Sequence, residues 1–218
     1  MAVAGAGGGG TIPTGTGLAL IPDTTGWVAG TTNSVGIQGS FYTFSDADGA
    51  PPGTTTMTPE MFTAVPASGA ICVSGSASQV LPGADMLPAY GQYWGGGVGL
   101  NLADPGAMMP LQPWTRGSVV GFSFNITGTT IPVGTQFRFK ATFYEGGVIN
   151  EDYCVSGVAA GANTFMLSQI VAECWNVGLG AAMPDTAQLG ALQWQVATVE
   201  AAPTPFNFCI ENLTALTQ

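Results

Sequence analysis

Positive charge is scarce in this sequence. Only 3 of its 218 residues are lysine or arginine, against 13 aspartate and glutamate residues, and the formal net charge is −10. Binding to nucleic acid or to an anionic membrane surface needs a basic face, so neither is an expected partner. Histidine is absent, which excludes catalytic triads built on histidine and metal centres with imidazole ligands.

Long apolar runs are also missing. No stretch of 18 consecutive apolar residues occurs, so no transmembrane insertion is expected.

The length suits one large β domain, which we place at residues 18–218. Residues 1–17 are rich in glycine and threonine and are predicted to be a linker, as in one module of a larger secreted protein.

The four cysteines are Cys72, Cys154, Cys174 and Cys209, and none forms a C-x-x-C pair. Two disulfides in an oxidising compartment fit this spacing better than a zinc site, which predicts a secreted or cell-surface protein. Three pairings are possible. We expect Cys154–Cys174, which closes a local loop, and Cys72–Cys209, which joins two predicted strands.

Short alternating segments separated by glycine, proline, asparagine and aspartate predict an all-β fold. We expect an antiparallel β-sandwich of the jelly-roll type, with long loops and at most one short helix, at residues 167–174. The predicted strands are residues 36–44, 70–76, 98–102, 119–127, 136–144, 164–167, 193–198 and 206–213.

The predicted strand at residues 136–144 has the clearest alternation. Phenylalanine and alanine occupy one face, and two of the three cations of the chain occupy the other. The outward face of this strand carries Arg138, Lys140 and Tyr144. An alternative is that Arg138 and Lys140 pair with Glu145 or Asp152 on the surface, where such ion pairs contribute little to stability.

Other predicted strands present polar side chains outward in the same way, namely Asn125, Gln193 and Gln195. Amide and cationic groups suit sugar hydroxyls because they supply fixed donors and acceptors. Tyr93, Trp94 and Trp175 are the aromatic residues we expect to stack on sugar rings. Alternatives stay open: the two glutamines can be ordinary surface residues of an antiparallel sheet, and Trp94 can be structural.

Several motifs occur in an order that resembles a known group of domains. They are GIQGSFYTF followed by Asp46, then ICVSG, YWGGGVGLNL, QWQV and FNFCIENL. Across about residues 25–215, the chain resembles secreted bacterial β-jelly-roll domains akin to carbohydrate-binding modules of the galactose-binding-like type. The resemblance implies glycan binding on one sheet face or in the loops at its rim.

The resemblance also implies a structural calcium ion near the first and last strands. Calcium takes six to eight oxygen ligands, and the candidates here are Asp23, Asp46, Asp48 and Glu211. An acidic turn without a metal is the alternative for the two aspartates at 46 and 48.

These observations favour a non-catalytic extracellular module that recognises a polysaccharide through a polar and aromatic sheet face. A lyase or glycoside hydrolase on the same scaffold is the first alternative. A lyase would use Tyr144 as acid and Lys140 or Arg138 to neutralise a uronate carboxylate, whereas no carboxylate pair stands out for a hydrolase. A structural or adhesive extracellular protein is the second alternative.

Overall fold

The fold is a sandwich of two antiparallel sheets, as the sequence predicted. The computed structural model describes residues 16–106, 109–145, 148–150, 153–176 and 180–218, without the side chains of residues 144, 145 and 148–150. Within these residues no helix is long and apolar enough to cross a bilayer. The strands are β1 Gly17–Ala19, β2 Trp27–Val28, β3 Gly39–Ser45, β4 Thr56–Thr58, β5 Ile71–Ala77, β6 Gly96–Asn101, β7 Trp114–Thr115, β8 Val119–Thr130, β9 Phe137–Glu145, β10 Val148–Asn150, β11 Tyr153–Ser156, β12 Gly161–Met166, β13 Val171–Ala172, β14 Gln188–Val196 and β15 Thr204–Thr217.

The two sheets differ in size. The six-stranded sheet has the order β12-β8-β15-β5-β4, with β1 added to β15. The nine-stranded sheet has the order β13-β11-β9-β14-β6-β3-β2, with β10 added to β9 and β7 to β14. Neighbours in both sheets come from distant parts of the sequence, so long-range pairing decides which side chains share a face.

The core lies between the sheets and is dominated by aromatic rings. Phe124 of the six-stranded sheet meets Trp194 of the nine-stranded sheet edge-on, with ring centroids 5.2 Å apart. Phe124 also contacts Phe139 at 5.2 Å, and Phe137 contacts Phe208 at 4.7 Å. All five side chains are almost completely buried. The inward faces predicted from alternation are therefore correct, and Trp194 belongs to the core.

The predicted helix at residues 167–174 is wrong. The structure has a single 3-10 turn at Leu167–Gln169, followed by β13. Leu167 and Ile170 are buried, as their spacing indicated. The β-branched pair Ile170 and Val171 favours extended backbone, and Val171 pairs with Cys154 in β11. Three further 3-10 turns, at Gly30–Thr32, Asp46–Asp48 and Gly134–Gln136, were not predicted.

The boundary predicted for the linker falls inside a strand. Gly17 begins β1 and lies opposite Leu216 of β15, so the sheet already includes the last residue assigned to the linker. Residues 1–15 of the predicted linker lie outside the described residues.

Both predicted disulfides are present. Cys72 and Cys209 lie directly opposite each other on β5 and β15, with Cα atoms 3.9 Å apart. Cys154 of β11 is bonded to Cys174, which follows β13. The first disulfide joins two strands of the six-stranded sheet, and the second fastens an edge segment of the nine-stranded sheet.

Candidate functional site

The register of the nine-stranded sheet arranges its outward side chains in rows. Arg138 of β9 lies opposite Gln195 of β14, and Lys140 lies opposite Gln193. The rows continue across β6 and β3. One row contains Arg138, Gln195, Gly97 and Phe44, and the next contains Lys140, Gln193, Gly99 and Tyr42. The four polar residues predicted to share one face therefore do so.

A groove of about 760 Å³ opens over the first row, and we call it the main groove. A smaller hollow of about 320 Å³ lies over the same face of the sheet. The main groove is lined by Phe44, Tyr90, Gly91, Trp94, Arg138, Lys140, Trp175, Gln195, Ala197 and Thr198. The smaller hollow is lined by Tyr42, Asn101, Leu111, Thr142, Gly190, Ala191 and Gln193.

Trp94 is held in place on one side of the main groove. Its ring stacks on Phe44, with centroids 6.0 Å apart and planes 17° apart. Its backbone carbonyl accepts a hydrogen bond from Gln195 Nε2 at 3.0 Å, and its backbone N–H donates to Asp46 Oδ2 at 3.1 Å. A ring fixed in this way costs little conformational entropy when a ligand stacks on it.

Trp175 and Arg138 form the opposite side. The guanidinium of Arg138 lies 4.9 Å from the centroid of the Trp175 ring, within the range of a cation–π contact. Arg138 Nε donates to the Thr135 carbonyl at 3.1 Å. Burial lowers the pKa of Arg138, but arginine stays protonated in proteins. The disulfide between Cys154 and Cys174 holds the residue next to Trp175 against the sheet.

The two glutamines and Lys140 point outward, yet all three are buried. Gln193 Nε2 donates to the hydroxyl of Tyr42 at 3.2 Å, while Gln193 Oε1 has no partner among the described residues. The Tyr42 ring lies over Gly99, where a Cβ atom would fall 2.2 Å from Tyr42 Cζ. The alternative that Gln193 and Gln195 are ordinary exposed surface residues is therefore wrong.

Tyr90 forms an exposed part of the rim of the main groove. Its hydroxyl donates to Glu200 Oε1 at 2.6 Å. This hydrogen bond to a carboxylate raises the pKa of Tyr90, because it stabilises the protonated phenol. Tyr90 is 51% exposed and Trp175 is 38% exposed, so both residues present apolar surface to solvent.

Asn125 does not belong to this site. It lies on β8, opposite Ala162 of β12 and Glu211 of β15, and therefore on the outside of the six-stranded sheet. Alternation showed that Asn125 points outward but not which sheet carries it. The placement beside Arg138 was wrong for that reason.

The structure does not assign the last two predicted residues, Tyr93 and Tyr144, to the main groove. Tyr93 is half-buried, and its backbone carbonyl accepts a hydrogen bond from Thr198 Oγ1 at 2.7 Å, but it is not among the residues that line the main groove. Tyr144 lies opposite Gln188 on β14, and its side chain is outside the described part of the structure. The same holds for the side chain of Glu145 and for Asp152, so their pairing with Arg138 or Lys140 stays a prediction.

Asp46, a candidate calcium ligand, is fully buried and bonded to protein groups. Oδ1 accepts from the Thr55 N–H at 3.0 Å and from Ser78 Oγ at 3.1 Å. Oδ2 accepts from the N–H groups of Trp94 and Gly95, the latter at 2.8 Å. One carboxylate therefore ties the turn after β3 to three other segments, including the one that carries Trp94.

The other candidate calcium ligands are Asp48, in the same 3-10 turn as Asp46, and Asp23 and Glu211 in other segments. Asp23 accepts hydrogen bonds from the Thr25 hydroxyl and from the N–H groups of Thr25 and Trp27, which lower its pKa. Asp48 is exposed, and Glu211 accepts from Thr127. Among the described residues, no three acidic or cysteine side chains come close enough to share a metal ion. The calcium ion stays a prediction without an assigned site.

Sequence reasoning missed Tyr42 and Phe44 as site residues. Two features of the sequence could have indicated them. GSFYTF alternates, and the neighbouring strand has glycines at every second position, Gly97 and Gly99. Glycines with this period leave bare backbone on one face of a sheet, over which a ring from the next strand can lie.

No protein-family model and no curated protein matches the chain. Among solved structures, it is similar to the solution structure of CtCBM11, with a TM-score of 0.47 and 11% identity over 95% of this chain and 99% of that one. It is also similar to a family 11 carbohydrate-binding module from Clostridium thermocellum in complex with a beta-1,3-1,4-mixed-linked tetrasaccharide. The TM-score is 0.39, with 10% identity over 82% of this chain and 96% of that one. An exo-beta-agarase has a TM-score of 0.33 and 14% identity over 71% of this chain and 23% of its own chain. No family, ligand or activity of this chain follows from similarities at this level.

Proposed function

We propose that this chain is a non-catalytic carbohydrate-binding module that holds a segment of polysaccharide in the main groove. The observation that carries the proposal is the composition of that groove. Gln195 and Arg138 lie at its base, the stacked pair Trp94 and Phe44 lies on one side, and Trp175 lies on the other. Binding sites for small ligands combine apolar rings with a few fixed polar groups in the same way.

Each part of the groove matches one part of a sugar. The apolar face of a pyranose ring packs on an aromatic side chain, and its hydroxyls exchange hydrogen bonds with amide and guanidinium groups. Gln195 is buried and oriented by its hydrogen bond to the Trp94 carbonyl, so its amide oxygen is held in a fixed direction. These groups need little rearrangement to bind, which favours affinity.

Binding is best measured on a panel of soluble and insoluble polysaccharides, by calorimetry and by depletion of the protein from solution. We expect Trp175→Ala to lower affinity about tenfold or more, in line with the loss of one stacked ring. Ile21→Ala is a matched control, since Ile21 is 67% exposed and adjoins the other sheet. Failure of the wild-type protein to bind any member of the panel would refute the proposal.

A catalytic role on the same scaffold makes a different prediction. The described residues that line the main groove include no carboxylate, so they offer no acid pair for glycoside hydrolysis. A lyase acting through Tyr144 would release unsaturated uronate products, which absorb ultraviolet light. Absorbance that grows with time on an acidic polysaccharide would therefore replace the non-catalytic proposal with a lyase.

The wider setting forms part of the same proposal. Two disulfides support an extracellular or cell-surface location, where polysaccharides are encountered. We place the chain there as one module of a larger secreted protein. A structural or adhesive role predicts concentration-dependent assembly in light scattering, whereas a binding module stays monomeric over the same range.

A further inference from the structure

The cations of the chain are unevenly placed. Arg138 and Lys140 both line the main groove. Arg116 lies elsewhere and pairs with Asp185, with Nη2 and Oδ1 2.9 Å apart. Two of the three positive side chains therefore line one groove, in a protein whose net charge is −10.

Arg138 is held in place by two contacts. Its Nε donates to the Thr135 carbonyl, and its guanidinium carbon lies 4.9 Å from the centroid of the Trp175 ring. Among the described residues, neither terminal nitrogen of Arg138 has a hydrogen-bond partner. The terminal nitrogens of a guanidinium can donate in parallel to the two oxygens of a carboxylate.

Two acidic groups near the groove, in the described part of the structure, accept hydrogen bonds from other protein groups. Glu200 accepts the hydroxyl of Tyr90 at the rim. Asp46 lies behind Trp94, and both of its oxygens accept hydrogen bonds from the backbone. Neither carboxylate contacts Arg138. Among the described residues the half-buried guanidinium of Arg138 has no anionic partner, and an anionic ligand offsets the cost of burying an unpaired charge.

We propose that the ligand is an acidic polysaccharide, and that Arg138 pairs with the carboxylate of a hexuronic acid residue seated beside Trp175. This inference rests on the proposed function and makes it more specific. Trp175 and Trp94 supply the stacking surfaces, while Arg138 selects for the carboxyl group of the sugar. Lys140 lines the same groove.

The test uses three uronate polymers, polygalacturonate, alginate and glucuronoxylan, each beside its carboxyl-reduced form. Reduction removes the negative charge but keeps the chain of sugars. We expect calorimetry in calcium-free buffer to show at least one acidic polymer binding about tenfold or more tightly than its reduced form. Equal affinity for acidic and reduced forms would overturn the inference, as would tighter binding to a sulfated galactan than to every uronate polymer.

Single substitutions test whether Arg138 is responsible for the preference for acidic polymers. Arg138→Gln should remove the preference for the acidic form, and Arg138→Lys should restore only part of it, because lysine keeps the charge but lacks the paired donors. Arg116→Gln removes the same charge outside the groove and should bind as the wild type does. An undiminished preference in folded Arg138→Gln would refute the role of this residue. Binding to neutral polymers alone defeats this inference but not the proposed function, whereas binding to no polymer defeats both.

Discussion

Asp46 joins three separate segments through one buried carboxylate. Its oxygens accept hydrogen bonds from the backbone of Thr55, Trp94 and Gly95 and from the hydroxyl of Ser78. The side chain has no exposed surface. Its role is to fix the loops at one end of the main groove, and Trp94 depends on it for the position of its backbone.

Asp46→Asn should therefore destabilise the fold by about 2–3 kcal/mol, since an amide cannot accept on both sides and leaves buried N–H donors unpaired. Denaturant unfolding followed by fluorescence measures this loss. Asp48→Asn is the matched control, because Asp48 is exposed and its nearest hydroxyl, Ser45 Oγ, is 3.5 Å away. Equal stability of the two variants would contradict the role given to Asp46.

Gly97 and Gly99 allow a second test, because they lie on the same face of β6 in neighbouring rows of outward side chains. A Cβ at Gly97 would lie 1.9 Å from the Trp194 carbonyl oxygen, whereas one at Gly99 would meet the end of the Tyr42 side chain. Backbone cannot move aside without breaking the sheet, but a tyrosine ring can turn. Gly97→Ala should therefore cost about 3 kcal/mol or more of stability, and Gly99→Ala about 1 kcal/mol or less.

Thermal or denaturant unfolding of both glycine variants checks the order of these effects. Gly99→Ala should also displace Tyr42 from Gln193 without unfolding the protein. A Gly99 variant less stable than the Gly97 variant would contradict the packing described.

At the scale of strands, alternation in the sequence was enough to sort inward from outward side chains. It placed Arg138 and Lys140 outward on β9, and Gln193 and Gln195 outward on β14, as the register confirms. The same rule failed for Asn125, because alternation carries no information about which sheet a strand joins. That choice depends on pairing between residues far apart in sequence, such as Glu211 with Asn125.

Removal of each disulfide in turn should affect protein stability and ligand affinity differently. Removing Cys154–Cys174 as a double alanine variant frees the segment that carries Trp175, so ligand affinity should fall. Removing Cys72–Cys209 leaves the groove untouched but releases a loop of 137 residues instead of 20. Chain-entropy estimates then give stability losses of about 3 kcal/mol for the first pair and about 5 kcal/mol for the second.

Calorimetric titration and unfolding of the same two double variants measure both quantities. We expect weaker binding only in the variant that lacks Cys154–Cys174, under conditions in which both proteins remain folded. Weaker binding in the other variant alone would place the site on the six-stranded sheet.

For the molecule as a whole, the sequence predicted the antiparallel sandwich, both disulfides and the polar half of the groove. Of the aromatic residues that line the groove, it predicted Trp94 and Trp175 but not Phe44, which reaches the groove from β3, a strand that is remote from β9 in the chain. Nor could it show that the outward glutamines are buried, because neighbouring side chains cover them in a way that only the assembled sheet reveals.

We propose that the ligand lies on the nine-stranded sheet. Nuclear magnetic resonance of the labelled protein, titrated with the tightest-binding oligosaccharide from the polysaccharide panel, tests this placement. We expect the shifts to concentrate at the indole N–H groups of Trp94 and Trp175 and at the side chains of Arg138 and Gln195. Shifts centred on Asn125 and its neighbours on the six-stranded sheet would contradict this placement.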